Sequence, residues 1–274
     1  MEETNAMDIT KKLNTVSIKM KTTLTVILLF SLVHFLSAKG HDFYQIQVYH
    51  LSGKAQEQSV DNFLKLTYVP ALHRAGIKTV GVFKPIASDT TSGKKIIVWV
   101  PLSSLGQLDK IQNALVQDKI YQTSGADFLE APFDQVPFKR KESILLKAFA
   151  NAPRFQTPKF ATKPFERIYE LRSYEGPTDY LFAQKLKMFN QGGEINLFKK
   201  LDFNAVFYAE VISGSIMPNL MYMTTFADIA SHDAHWKAFV NHPDWKILSS
   251  LPEYQHTVSR ITKILLSPTD YSDF

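Results

Sequence analysis

Apolar and polar residues alternate along residues 43–50, FYQIQVYH, and again along 168–174, IYELRSY. A period of two over this length predicts a half-buried strand in each place. Behind each strand the period lengthens to that of a helix. Val60, Phe63, Leu64 and Tyr68 share one helical stripe; Phe182, Leu186 and Phe189 share another, which Gly192-Gly193 interrupts before residues 195–200 resume it. Paired strands are predicted at 79–85 with 96–100 and at 204–212 with 220–224, a second helix at 105–116 and at 229–240, and a last strand at 144–149 and at 261–266.

The same order of elements therefore occurs twice, and residues align across the copies. FYQIQVYHLSG at 43–53 matches IYELRSYEGPT at 168–178 with an offset of 125, and residues 96–122 match 220–246 with an offset of 124. The order βαββαβ, twice, predicts an α+β chain of two tandem ferredoxin-like units. Two helices cover one face of each four-stranded sheet, so the bare faces are expected to meet about a pseudo-twofold axis in an α/β barrel. The expected divisions are an amino-terminal extension and signal peptide (1–38, the signal at 20–38), a diverged first repeat (41–150), a proline-containing linker (151–165) and a second repeat (166–274).

The ends and composition narrow the setting. Lys21, an apolar run over 24–36 and the small pair Ser37-Ala38 have the layout of a secretory signal with cleavage after Ala38, Met20 being a candidate start. A secreted or periplasmic location is expected, without stable membrane insertion after cleavage. The chain has 274 residues and no cysteine, which excludes disulfides, thiolate metal sites and cysteine nucleophiles. Its net charge of +5 comes from scattered lysines and one run, Lys139-Arg140-Lys141, with no basic-aromatic stripe, so no nucleic-acid partner is expected.

The strand IYELRSYEGPT, the segments GGEINLFKKLDFNAVFYAEV and LMYMTTFADI, and the helix end HWKAFVNHPDWK resemble the NIPSNAP family over about residues 166–250. The first repeat looks like a more diverged copy. The resemblance implies a ferredoxin-like fold of the dimeric α/β-barrel type and brings no catalytic set with it. Families sharing that barrel include cofactor-independent monooxygenases, lactone isomerases and haem enzymes. Glu175-Gly176-Pro177 departs from the family's usual Tyr-x-x-x-Pro-Gly turn.

Alternation puts Glu170, Arg172 and Tyr174 on one face of their strand and Tyr169, Leu171 and Ser173 on the other. If the more apolar set lies under the helices, Glu170, Arg172 and Tyr174 point between the two sheets. A carboxylate and a guanidinium two residues apart form either an interface ion pair or a donor fork for an anionic or carbonyl ligand. The first repeat has Gln45 and Gln47 there, so any charged site belongs to the second copy. Tyr208, Tyr222 and Trp236 are candidates to line the same space. His232, His235 and His242 cluster on or near one helix but bring no evident convergent set of ligands, so no metal is expected, and no cofactor is assigned. Phosphate loops, dinucleotide fingerprints, nucleophile elbows and zincin motifs are missing from the sequence.

These features predict an exported protein that binds a small apolar or carbonyl-containing molecule, or a protein partner, in an inter-sheet cleft lined by Glu170, Arg172, Tyr174, Tyr208, Tyr222, His232 and Trp236. The alternatives are a cofactor-independent monooxygenase or isomerase, or a haem-binding protein. The halves pair either within one chain or across a homodimer.

Overall fold

The computed structural model describes residues 40–274; the leader read at 20–38 lies outside them. Eight antiparallel strands close into one barrel, in the order β1-β3-β2-β8-β5-β7-β6-β4. The first repeat supplies β1 (Phe43–His50), β2 (Gly81–Pro85), β3 (Lys95–Leu102) and β4 (Arg140–Ala148). The second supplies β5 (Ile168–Glu175), β6 (Ala205–Ser213), β7 (Asn219–Phe226) and β8 (Arg260–Pro268). Each repeat has the strand order 4-1-3-2 of a ferredoxin-like unit. The units join edge to edge, β2 to β8 and β4 to β6, so the pseudo-dimer forms within one chain.

The helices wrap the outside. In the first repeat α1 (Lys54–Phe63) runs through a π-helical turn, Leu64–Tyr68, into α2 (Val69–Arg74); α3 (Gly106–Gln117) and α4 (Lys119–Leu129) follow β3. In the second, α5 (Asp179–Asn190) and α6 (Glu194–Lys200) follow β5, and α7 (Ile229–Asn241) and α8 (Pro243–Ser250) follow β7. The helices α4 and α8 are additional to the sequence expectation, which carried one helix after each third strand. Both start from residues that align at offset 124: Asp118 accepts a hydrogen bond from Tyr121 N (3.0 Å), and His242 Nδ1 accepts one from Asp244 N (3.1 Å). Side-chain acceptors of this kind satisfy the free amides of a helix start. Among the described residues no helix is long and apolar enough to cross a membrane.

The face assignment made from the sequence is reversed. Tyr169 and Leu171 face the barrel lumen together with Tyr44, Ile46, Val48, Trp99 and Phe207. Tyr174 packs outward against Phe189 of α5 and against Tyr222, which in turn meets Phe198 and Tyr208. The physical reason is that both faces of a covered barrel strand are buried. The helices pack on the outer face, so the lumen side takes the more apolar set along its middle, while helix side chains satisfy polar groups on the other. Glu170, Arg172 and Tyr174 therefore lie under the helices and not between the two sheets.

The linker helps close one end of the barrel. Asp42 pairs with Arg154, and Gln156 N donates to Val206 O (2.8 Å). Phe155 then rests edge-on to Trp99, with ring centroids 5.2 Å apart.

At Gly192, between α5 and α6, a Cβ would sit 2.7 Å from Met188 O and 2.9 Å from Met188 Cα, both backbone atoms that cannot step aside. Gly192→Ala is expected to cost about 1–3 kcal/mol in chemical denaturation. Gly53→Ala, on extended backbone with nothing within 4 Å of the added atom, should stay within about 0.5 kcal/mol of the parent.

Candidate functional site

Strand β5 sends Glu170, Arg172 and Tyr174 outward, and its neighbour β7 sends Tyr222 and Thr224, in the registers Arg172–Tyr222 and Glu170–Thr224. Helix α7 lies over them. Its amino terminus is fixed by Asp228, which accepts from Ser231 N (2.7 Å), and this sets His232 and Trp236 above Glu170. All the side chains proposed from the sequence to form a site are thus brought together, in a cluster continuous from His232 to Tyr208.

Glu170 is wholly buried and sits at the centre. Its Oε2 accepts a hydrogen bond from Trp236 Nε1 (2.6 Å) and lies 3.4 Å from His232 Nε2; its Oε1 lies 2.9 Å from Arg172 Nη2. Arg172 stacks its guanidinium on the Trp236 ring, 3.4 Å from the centroid, and Nη1 donates to Tyr174 Oη (3.2 Å). The Tyr174 and Tyr222 hydroxyls share a hydrogen bond of 2.8 Å, and Tyr222 stacks on Tyr208 with centroids 5.6 Å apart.

These contacts outweigh burial. Desolvation alone would raise the Glu170 carboxyl, but His232 and the Arg172 charge hold it below its ordinary value. Desolvation would likewise lower His232, yet Glu170 and Asp233 leave it raised. Arg172 is also desolvated, but its pairing with the Glu170 carboxylate keeps its pKa raised, so it stays a cation. Burial pushes the Tyr208 and Tyr222 phenols well up, which keeps them as neutral donors.

Sequence reasoning missed the second layer. Lys185 of α5 and Glu194 of α6 form a buried ion pair of 2.8 Å, and the Lys185 ammonium lies 4.7 Å from the Phe189 ring centroid. Burial raises the Glu194 carboxyl, against the opposing charges of Lys185 and Arg172. The available signal was a lysine inside the apolar stripe of Phe182, Leu186 and Phe189, where a charged residue needs a partner.

The three helix histidines do different things. His232 joins the cluster; His235 donates through Nδ1 to Ser231 O (2.6 Å) with its ring against Phe203 and Phe226; His242 caps α8.

The two repeats differ most here. At the matching place in the first repeat Gln47 donates to Tyr68 Oη (2.7 Å) and to Gln45 Oε1 (3.1 Å), and Gln45 donates to Ser143 Oγ (2.8 Å). That network is neutral and its members are paired. On the second-repeat face Glu170 Oε1, Arg172 Nε, Tyr208 Oη, Thr224 Oγ1 and His232 Nε2 are buried without a hydrogen bond of good geometry. Beside Tyr208, a groove of about 650 Å³ runs between linker residues 151–159 and the second repeat, with Phe198 and Phe203 also in its wall.

The sequence model of the NIPSNAP family matches residues 169–273, from the strand that carries Glu170 to the end of the second repeat. This stretch is a NIPSNAP domain. Over most of the chain the fold is shared with solved structures. A putative monooxygenase from Lactobacillus acidophilus is 11% identical, with a TM-score of 0.54 over 83% of this chain and 94% of that one. One from Fusobacterium nucleatum is 8% identical, with a TM-score of 0.53 over 84% and 93%. An anthrone oxidase-like protein is 8% identical, with a TM-score of 0.51 over 85% and 94%. At such identities the likeness is one of fold. No curated protein matches the chain.

The charged contacts of the NIPSNAP domain give a pH signature. The raised His232 contributes stability that is complete below its ordinary value near 6.5 and is lost as pH rises through its higher folded value. His232→Leu, which installs the residue found at Leu108 in the first repeat, removes that contribution. The stability difference between parent and variant, from urea titrations, should be greatest near pH 6 and shrink toward pH 9.

Proposed function

We propose that the protein binds a small, largely apolar molecule carrying a carbonyl or enolic oxygen on the helix-covered face of its NIPSNAP domain. The observation that carries this reading is the buried, unpartnered Arg172 Nε, Tyr208 Oη and Thr224 Oγ1 beside the Glu170–Arg172 ion pair, set against the paired network on the equivalent face of the first repeat. An unpaired buried donor or acceptor costs about 1–3 kcal/mol, a cost that a ligand oxygen would relieve. Arg172 Nε and Tyr208 Oη would donate to that oxygen, and the surrounding Phe198, Phe203 and Trp236 rings would take the apolar body. The adjoining groove offers ligand-sized space, and the side chains of Arg172 and His232 keep 13% and 12% exposure, so the edge of the cluster meets solvent. With the leader read at 20–38, this binding would occur outside the cytoplasm.

The test replaces the charged network by its neutral counterpart. Glu170→Gln with Arg172→Gln reproduces the first repeat's Gln45 and Gln47 and should fold. Acetophenone and anthrone, titrated by ligand-observed NMR, should bind the parent and lose at least tenfold in affinity in the double variant. Equal binding by a folded double variant removes the reading.

A second reading, cofactor-independent oxygenation, is favoured by the His232–Glu170 pair next to a fixed cation. Neutral His232 would take a proton from a carbon conjugated with the carbonyl, in anthrone the methylene across the central ring, and Arg172 would hold the resulting enolate oxygen. With anthrone as substrate the balance is anthrone plus O2 giving anthraquinone plus water. Oxygen uptake should then exceed the spontaneous rate and rise with pH as His232 loses its proton; uptake no faster than without protein rejects this reading and leaves binding.

A further inference from the structure

We propose that the open end of the barrel lumen is a second ligand site, for a compact molecule of one ring or a short chain with a single uncharged hydrogen-bonding head. It is separate from the outer face of the NIPSNAP domain: β5 lies between them, turning Leu171 and Ser173 inward and Glu170 and Arg172 outward.

An eight-stranded barrel has an interior just wide enough to be filled by side chains or to hold one small ligand. This chain does one at each end. Toward the linker, large rings meet across the lumen. Tyr44 lies 5.1 Å from Phe207 and Phe83 lies 4.9 Å from Tyr169, with Phe274 5.4 Å from Trp99. Toward the other end the inward positions carry no aromatic ring but Val48, Ile97, Ile144, Leu171, Met221 and Ile264. They leave a cavity of about 110 Å³ that opens past the 214–216 loop. An engineered apolar cavity of about 150 Å³ in another protein binds benzene, which sets the scale of molecule that fits.

The rim defines the head group. Ser173 and Asn219 hydrogen-bond each other across β5 and β7 (3.0 and 2.9 Å). Asn219 is almost fully buried yet keeps a second amide hydrogen and further acceptor capacity. Thr262 adds a hydroxyl. The formal charges at the rim balance, Glu142 and Glu175 against Lys95 and Arg260, with Glu142 also hydrogen-bonded to His50 and Glu175 lying 3.8 Å from Arg260. A hydroxyl or carbonyl therefore has partners, and an ionic head group has no surplus charge of one sign to meet.

Cyclohexanol and 1-hexanol are suitable probes on the protein spanning residues 39–274. Each should raise Tm with saturation and show saturation-transfer contact in NMR. Filling the cavity by Ile264→Phe should raise Kd at least tenfold, and Val48→Leu provides a milder filling variant if the larger ring is not accommodated. The outer-face double variant, Glu170→Gln with Arg172→Gln, should bind these alcohols as the parent does, whatever becomes of acetophenone binding. Absence of a saturable response, a response that survives both filling variants, or one lost with the outer-face substitutions overturns the proposal.

Discussion

Closure of the barrel by the β2–β8 and β4–β6 pairings is the constraint from which the other arrangements follow. A ferredoxin-like unit alone leaves two strand edges and one uncovered sheet face. Joining two units edge to edge satisfies the edges and turns both uncovered faces into one lumen. Because that lumen is cut off from helices, its middle is lined by apolar side chains and its ionisable ones are held at the open end. The charged residues of β5 are thereby confined to the side where α7 can supply Trp236 and His232.

Buried charge is an expensive way to hold a helix on a sheet. Neutral or apolar replacements for buried ion pairs are often no less stable, while removal of one partner costs about 3–5 kcal/mol. The first repeat shows the cheaper solution in the same molecule, with Gln45, Gln47 and Tyr68 bonded to one another beneath a helix. The second repeat instead carries Glu170 with Arg172 and, one layer further out, Lys185 with Glu194. Packing needs are similar in the two halves, so the difference points to something other than packing.

Much of this was legible in the sequence. Period-two and helical stripes located every strand and the main helices, and the repeat offset identified the two units. Residues that cluster around Glu170 were also identifiable, because charge on a strand face and its loss in the other copy are visible without coordinates. Which face turned inward was not. Alternation separates two faces but does not orient them, and the rule that the apolar face meets the helices fails where a closed lumen is drier still. Residues such as Asp118 and His242 were in view, but their work as helix caps depends on backbone amides that a sequence does not display. Lys185 and Glu194 meet only because Gly193, at φ 98°, turns the chain between their helices.

A barrel assembled from two identical chains would show every substitution twice, once on each outer face. Here the halves are covalently joined, and Gln47 and Arg172 are separate positions open to separate selection. One half keeps a neutral, fully bonded network beneath its helices, while the other carries buried charge in the same place. The intrachain pseudo-twofold thus leaves the two outer faces free to differ, which a symmetric homodimer cannot do.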